Sequence, residues 1–300
     1  MKPKLLILIT LFLSVRSFAQ DFRSEFKTLI NKDDTEATLT ILNKWQKAKP
    51  DDPELYVAFY NFYAKEGLKE ALSMTTTETE GKSVTIKDKD GKIVGYLGGS
   101  GSHNETYLQK GFNYIDTAIA KFPDRLDMRF GKVYVLGRIG DYANFTKEII
   151  KTVNYGESTG LKWTWTDNKP LDDPKGFMLS TIQNYVVQLF NAGDQNMEYI
   201  KAIAATVLNY YPDNVESLSN LAISYISEKN YNKALDPLLK AEKINPQDYI
   251  VLNNIAYCYS LQGDKPNAIK YYELTIKYGD EKAKNQANEK LAELRSNLNP

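Results

Sequence analysis

The sequence predicts an all-α solenoid of helix-turn-helix repeats with one small β-hairpin insertion. The first observation is a 34-residue period, because the apolar and small positions of 215–248 recur in 249–282. Self-similarity at this period is typical of stacked helix pairs. The second is proline spacing, because Pro212 and Pro246, which end helices, are separated by the same period. The third is Asp90-Gly91 between two β-prone segments, a pattern that favours a tight hairpin turn.

The repeated positions are specific enough to indicate a family. They are Leu218, Leu221, Ala222, Tyr225, Ala234 and Leu238 in the first copy and Leu252, Ile255, Ala256, Tyr259, Ala268 and Tyr272 in the second. This order of large, small and aromatic residues resembles the tetratricopeptide repeat (TPR) family. The first copy also has the alanine and the closing proline of that family, Ala241 and Pro246, whereas the second departs there with Thr275 and Asp280. The resemblance implies a TPR-like solenoid that acts as a scaffold, since such arrays have many unrelated partners.

The N-terminus has the pattern of a secretory signal peptide. A basic start precedes an apolar run over 5–15, and small residues stand at both peptidase positions within 17–19. The run is short for a membrane span, which argues against the alternative of an uncleaved anchor. Cleavage before Gln20 would remove a signal peptide, 1–19, and leave a mature chain, 20–300, without a transmembrane span. We therefore expect a periplasmic or secreted protein of a Gram-negative bacterium.

Charge and composition exclude several classes of function. Lys+Arg and Asp+Glu both number 38, so the net charge of zero gives no reason to expect nucleic acid as a partner. The single histidine, His103, and the single cysteine, Cys258, are too few for a zinc site of His and Cys ligands, and they favour no catalytic triad. Cys258 directly precedes the predicted core residue Tyr259, so we expect its thiol to be buried. The sequence predicts a non-catalytic protein with no cofactor and no bound metal.

Helical periodicity and proline positions predict the elements of the N-terminal half. Pro50 and Pro53 separate two helices, because proline is tolerated in a first turn and excluded from a helix interior. The helices expected in this half cover 22–31, 34–47, 53–67, 104–122, 125–140 and 142–153. The hairpin lies in a first insertion, about 74–102, where the Asp-Gly turn would place Val84 opposite Leu97 and Thr85 opposite Tyr96.

A second insertion, about 154–176, carries Trp163 and Trp165. In an extended segment both rings would point the same way. They would then either form a platform for a sugar or a peptide, or pin a long loop onto the helices. A degenerate repeat follows over 181–214, and a polar capping helix is expected at 281–297, where an array needs one. The period indicates about six helix pairs.

The concave groove is the candidate binding site that the TPR resemblance implies. There, Asn220 and Asn254 match the position at which several TPR proteins hold a peptide backbone, and we expect both to be exposed. The other predicted groove residues are Ile223, Ser227, Asn253 and Tyr257. The family's carboxylate clamp is missing, because Glu216 and Ile250 stand where it has basic residues. The predicted partner is thus a protein or peptide, with two alternatives: a small-ligand or glycan module, or asparagines that are purely structural.

Overall fold

The computed structural model describes most of the chain after residue 20. The described ranges are 21–69, 72–75, 83–87, 90–99 and 103–296. The predicted signal peptide therefore lies outside the described residues.

Thirteen α-helices form in the described part of the chain. They are α1 (Phe22–Asn31), α2 (Thr35–Ala48), α3 (Pro53–Leu68), α4 (Glu105–Lys121), α5 (Leu126–Arg138), α6 (Tyr142–Ser158), α7 (Pro174–Asn191), α8 (Met197–Tyr210), α9 (Val215–Ser227), α10 (Tyr231–Ile244), α11 (Tyr249–Gln262), α12 (Lys265–Tyr278) and α13 (Glu281–Ser296). The first twelve form six successive pairs, and α13 packs on α12 at the end of the array. The prediction of an all-α, TPR-like helix-turn-helix solenoid is confirmed. We call the first helix of each pair the A helix.

The turns between these helices repeat the same capping chemistry. Asn214 and Asp248, which lie one repeat period apart, cap α9 and α11, and their side chains accept hydrogen bonds from backbone N–H groups of the first turn. Asn230 and Asp264, which are equivalent positions of the two repeats, do the same for α10 and α12. A short polar side chain at this position satisfies donors that the helix itself leaves unpaired. The period therefore sets the helix starts as well as the core.

Small residues from both helices are buried together in the core of each of the last two pairs. Ala222 on α9 and Ala234 on α10 are fully buried, and so are their repeat equivalents, Ala256 on α11 and Ala268 on α12. Interiors are packed to crystal-like density, so there is no room at such a contact for a larger side chain. Cys258 is also buried, and burial raises the pKa of its thiol to about 12, which agrees with the predicted inert thiol.

Replacing Ala222 with leucine is expected to destabilise the protein by roughly 1–3 kcal/mol, because the added methylenes overpack the α9–α10 contact. Urea unfolding monitored by circular dichroism measures the change. Ala205→Leu is the matched control, since Ala205 is exposed on α8 and its replacement should stay within about 0.5 kcal/mol of the parent. Equal stability of the two variants would show that the helix register is wrong.

The first insertion forms a sheet of three strands. They are β1 (Leu72–Thr75), β2 (Ser83–Lys87) and β3 (Ile93–Gly99), in the order β1-β3-β2 with both pairings antiparallel. The predicted hairpin register is confirmed, with Val84 opposite Leu97 and Thr85 opposite Tyr96. The additional strand, β1, starts before the predicted insertion and carries no turn signal of its own.

The second insertion is shorter than the predicted segment 154–176. The helix α6 continues to Ser158, and α7 already begins at Pro174, so only 159–173 connects them. We call this connection the strap. It contains two-residue strands, β4 (Thr164–Trp165) and β5 (Lys169–Pro170), which pair with each other.

An ionic network centred on the buried Arg125 joins the strap to the N-terminal helices. Arg125, only 1% exposed, pairs with Asp127 at 2.7 Å and with Glu54 of α3 at 2.8 Å. Glu54 also accepts a hydrogen bond from the backbone N–H of Asp167 in the strap. Asp167 in turn pairs with Arg23 of α1 at 2.6 Å. Through these contacts the strap ties α1 and α3 to the third helix pair.

Candidate binding face

The two predicted asparagines connect neighbouring A helices. Asn220 of α9 donates from Nδ2 to Gln183 Oε1 of α7 at 2.8 Å. Asn254 of α11 donates from Nδ2 to Ser219 Oγ of α9 at 3.2 Å. Each amide therefore reaches back to the preceding A helix, and the two bonds form a polar ladder across α7, α9 and α11.

This placement corrects the expectation that both asparagines are exposed. Asn220 is only 5% exposed and Asn254 is half-buried. At these positions a polar amide has little water, so it must find a partner within the fold. The ladder supplies that partner and favours the structural alternative for Asn220.

Three large apolar side chains on α11 are open to solvent instead. Ile250, Tyr257 and Leu261 are 54%, 42% and 40% exposed, and their spacing of seven and then four positions places them along one side of the helix. Among the other predicted groove residues, Ile223 and Asn253 are half-buried.

The A helices of this half carry almost no charge. The whole of α7, α9 and α11 includes only two charged side chains, Lys175 and Glu216. The second helices α10 and α12 are shorter in total, yet they include nine charged side chains. Depletion of charge marks the centre of protein interfaces, because an unpaired charge is costly to remove from water. We call the exposed surface of α7, α9 and α11, with Ser227 at its edge, the inner face.

A cleft opens between α7 and α9 on the inner face. Its volume is about 430 Å³. Its apolar lining includes Ile182, Val186, Ile203 and Val207, and its polar lining includes Ser180, Gln183, Ser217 and Asn220. Sequence reasoning missed this cleft. One difference in sequence spacing accompanies it. The hydrogen-bonded residues Gln183 and Asn220, at the cleft, are 37 positions apart, whereas the equivalent pair Ser219 and Asn254 is 35 positions apart.

The two tryptophans of the strap pack on the helices. Trp163 is 2% exposed and lies in the core against Tyr155, with ring centroids 5.6 Å apart. Trp165 is half-buried and contacts Phe177 of α7 edge-on at 5.0 Å. Burial leaves Trp163 no free ring face on which a ligand could stack, which argues against a platform made of both rings. The contacts favour the other reading, in which the tryptophans pin the strap.

Among the comparisons with known proteins, only the one with solved structures found similar chains. No protein-family model and no curated protein matches the sequence. Among solved structures, the C-terminal part of a TPR repeat-containing protein from Cytophaga hutchinsonii is 16% identical, with 93% of this chain and 89% of that chain covered and a TM-score of 0.47. A tetratricopeptide repeat protein from Parabacteroides merdae is 11% identical, with 86% and 79% covered and a TM-score of 0.37. YrrB, described as a TPR protein with an unusual peptide-binding site, is 12% identical, with 83% and 97% covered and a TM-score of 0.39.

No helix within the described ranges combines the length and the apolar character that crossing a membrane requires. The array itself consists of six helix pairs, and in the last two the same core alanines and the same kind of capping residues recur at one fixed period. By this geometry the chain is a TPR-like helix-turn-helix solenoid protein.

Proposed function

We propose that the protein is an exported, non-catalytic scaffold that binds a protein or peptide along the inner face of α7, α9 and α11. Solenoids of this kind present extended concave surfaces to their partners. The observation that carries the proposal is the combination on one surface of depleted charge and exposed apolar side chains. Contiguous apolar surface that is open to water marks an interaction site. Export rests on the signal pattern at 1–19.

The exposed apolar residues supply the contact energy in this proposal. Burial of apolar surface contributes roughly 25 cal/mol per Å², so a partner that covers Ile250, Tyr257 and Leu261 gains affinity without forming ion pairs. The polar ladder keeps the A helices in register beneath the partner. Its asparagines are therefore support for the binding face rather than its main contacts.

A charge placed on the inner face is expected to weaken binding tenfold or more. Random peptides displayed on phage are selected on the immobilised chain 20–300, and one enriched peptide is titrated by calorimetry against Ile250→Glu and Tyr257→Glu. Both variants should bind weakly, because a carboxylate would be buried without a partner. Both should melt like the parent, since these positions are exposed.

Ile244→Glu is the matched control, because Ile244 is similarly exposed but lies on α10, outside the inner face. Its affinity should equal that of the parent. If no peptide is enriched, the inner face is not a peptide-binding site; if all three variants bind as the parent does, the exposed apolar residues of α11 are not part of the site.

A further inference from the structure

We propose that the cleft between α7 and α9 is a specificity pocket for one uncharged apolar side chain of a bound peptide; this rests on the proposed function and names the class of its partner. The cleft's volume of about 430 Å³ is many times the roughly 30 Å³ that one water molecule occupies in the liquid. The cleft is thus far larger than a packing defect and lies within the usual range of ligand pockets.

The floor of the cleft is apolar and belongs to the core. Ile203 and Val207 of α8 and Val186 of α7 are each 1% exposed, yet all three line the cavity. The cleft therefore passes between the A helices and reaches the second helix of the pair. An aliphatic or aromatic side chain that enters it displaces water from apolar surface, which is favourable.

The rim of the cleft determines which side chains enter. Its polar groups include the uncharged side chains of Ser180, Gln183 and Ser217, while Glu216 is the single charged residue that lines it within the described ranges. Since no described cation lines the cleft, an aspartate or glutamate of the peptide would lose its hydration without compensation. Leucine, methionine and phenylalanine meet no such cost. The side-chain amide of Gln183 can both donate and accept hydrogen bonds, so it is suited to bind the peptide main chain on either side of the inserted residue.

A second cavity explains why the occupant is a chain segment rather than a compact small molecule. It has a volume of about 380 Å³ and shares Leu179 and Asn214 with the cleft. It runs along the α8–α9 turn, where Lys175 lies over the ring of Tyr211 at 4.7 Å. The two cavities form a trough, and an extended peptide can place one side chain in the cleft while its neighbours follow the trough.

The test fills the cleft in the full mature chain and uses the same displayed random peptides as the probe. Ser180→Trp places an indole at the mouth, where Ser180 is exposed and its hydroxyl donates to the carbonyl of Phe177. Ser158→Trp is the matched control, because Ser158 is exposed, donates to the carbonyl of Tyr155 in the same way and does not line the cleft. Melting curves check that both variants fold.

We expect the enriched peptides to share one leucine, methionine or phenylalanine with no acidic residue at that position. A synthetic copy with this residue changed to aspartate should bind at least tenfold more weakly, and so should the parent peptide with Ser180→Trp. Ser158→Trp should leave the affinity unchanged. The proposal of a pocket would be overturned if the enriched peptides shared an acidic residue at that position, or if the Ser180→Trp variant bound the peptide with parental affinity.

The variants on α11 separate the two proposals. If Ile250→Glu weakens binding and Ser180→Trp does not, the inner face stands and the pocket is wrong. If neither weakens binding, the proposed function fails and the pocket fails with it. If Ser180→Trp alone weakens binding, the pocket is supported and the wider face on α11 is wrong.

Discussion

Arg125→Ala is expected to destabilise the protein by about 3–5 kcal/mol, the usual cost of removing one partner of a buried ion pair. Arg125 is almost fully buried and makes a two-pronged contact with Asp127, Nε to Oδ1 at 2.8 Å and Nη2 to Oδ2 at 2.7 Å. Its loss leaves Asp127 and Glu54 as carboxylates with 12% side-chain exposure and without their main cation. The free energy of unfolding in urea is the measurement.

The matched control is Arg295→Ala. Arg295 pairs with Glu273 at 2.7 Å, but both side chains are more than half exposed, so water and salt screen the pair. Its removal should cost at most about 1 kcal/mol. Similar losses for the two variants would show that the network around Arg125 does not hold the strap.

A local readout accompanies this prediction. The N–H of Thr164 in the strap donates to the carbonyl of Asp124, the residue before Arg125, and Arg125 itself donates to Asn168 Oδ1. If Arg125 anchors the strap, hydrogen exchange at Thr164 should accelerate in Arg125→Ala more than exchange in α11 and α12. Uniform acceleration would mean that the strap opens only when the whole chain unfolds.

Trp163→Ala is expected to cost about 3–5 kcal/mol, because it leaves a large cavity in the core beside α5 and α6. Trp163→Phe should cost clearly less. Phenylalanine keeps much of the aromatic surface. Because Nε1 of Trp163 has no hydrogen-bond partner in the described part of the chain, loss of the N–H breaks no hydrogen bond there. Thermal and urea unfolding measure both changes.

Trp163→Phe also separates the two roles considered for the tryptophans. If Trp163 pins the strap, this variant binds the selected peptide with parental affinity. If it belongs to a ligand platform, affinity falls while stability holds. A fall of tenfold at unchanged melting temperature would restore the platform that the burial of Trp163 argues against.

Local chemistry explains how much of the fold could be predicted. The helix pairs of 215–248 and 249–282 follow from small residues at close contacts and from capping residues at turns, and both kinds of residue act within one repeat. The pairs Val84 with Leu97 and Thr85 with Tyr96 match the prediction from Asp90-Gly91, although the register shifts between Ile86 and Lys87, nearer the turn. Capping residues and prolines correctly marked the starts of α1, α3 and α6, whereas α7 begins at Pro174, inside the predicted insertion and before the predicted degenerate repeat.

The sequence by itself therefore determined the period, the helix pairs, the hairpin register and the buried state of Cys258. Only the tertiary structure decided that Asn220 bridges two helices, that Trp163 is covered and that a cleft opens between α7 and α9. Each of these depends on contacts between residues remote in the chain, such as Asn220 with Gln183. No local pattern encodes such contacts, because burial and pairing arise only when separate repeats pack together.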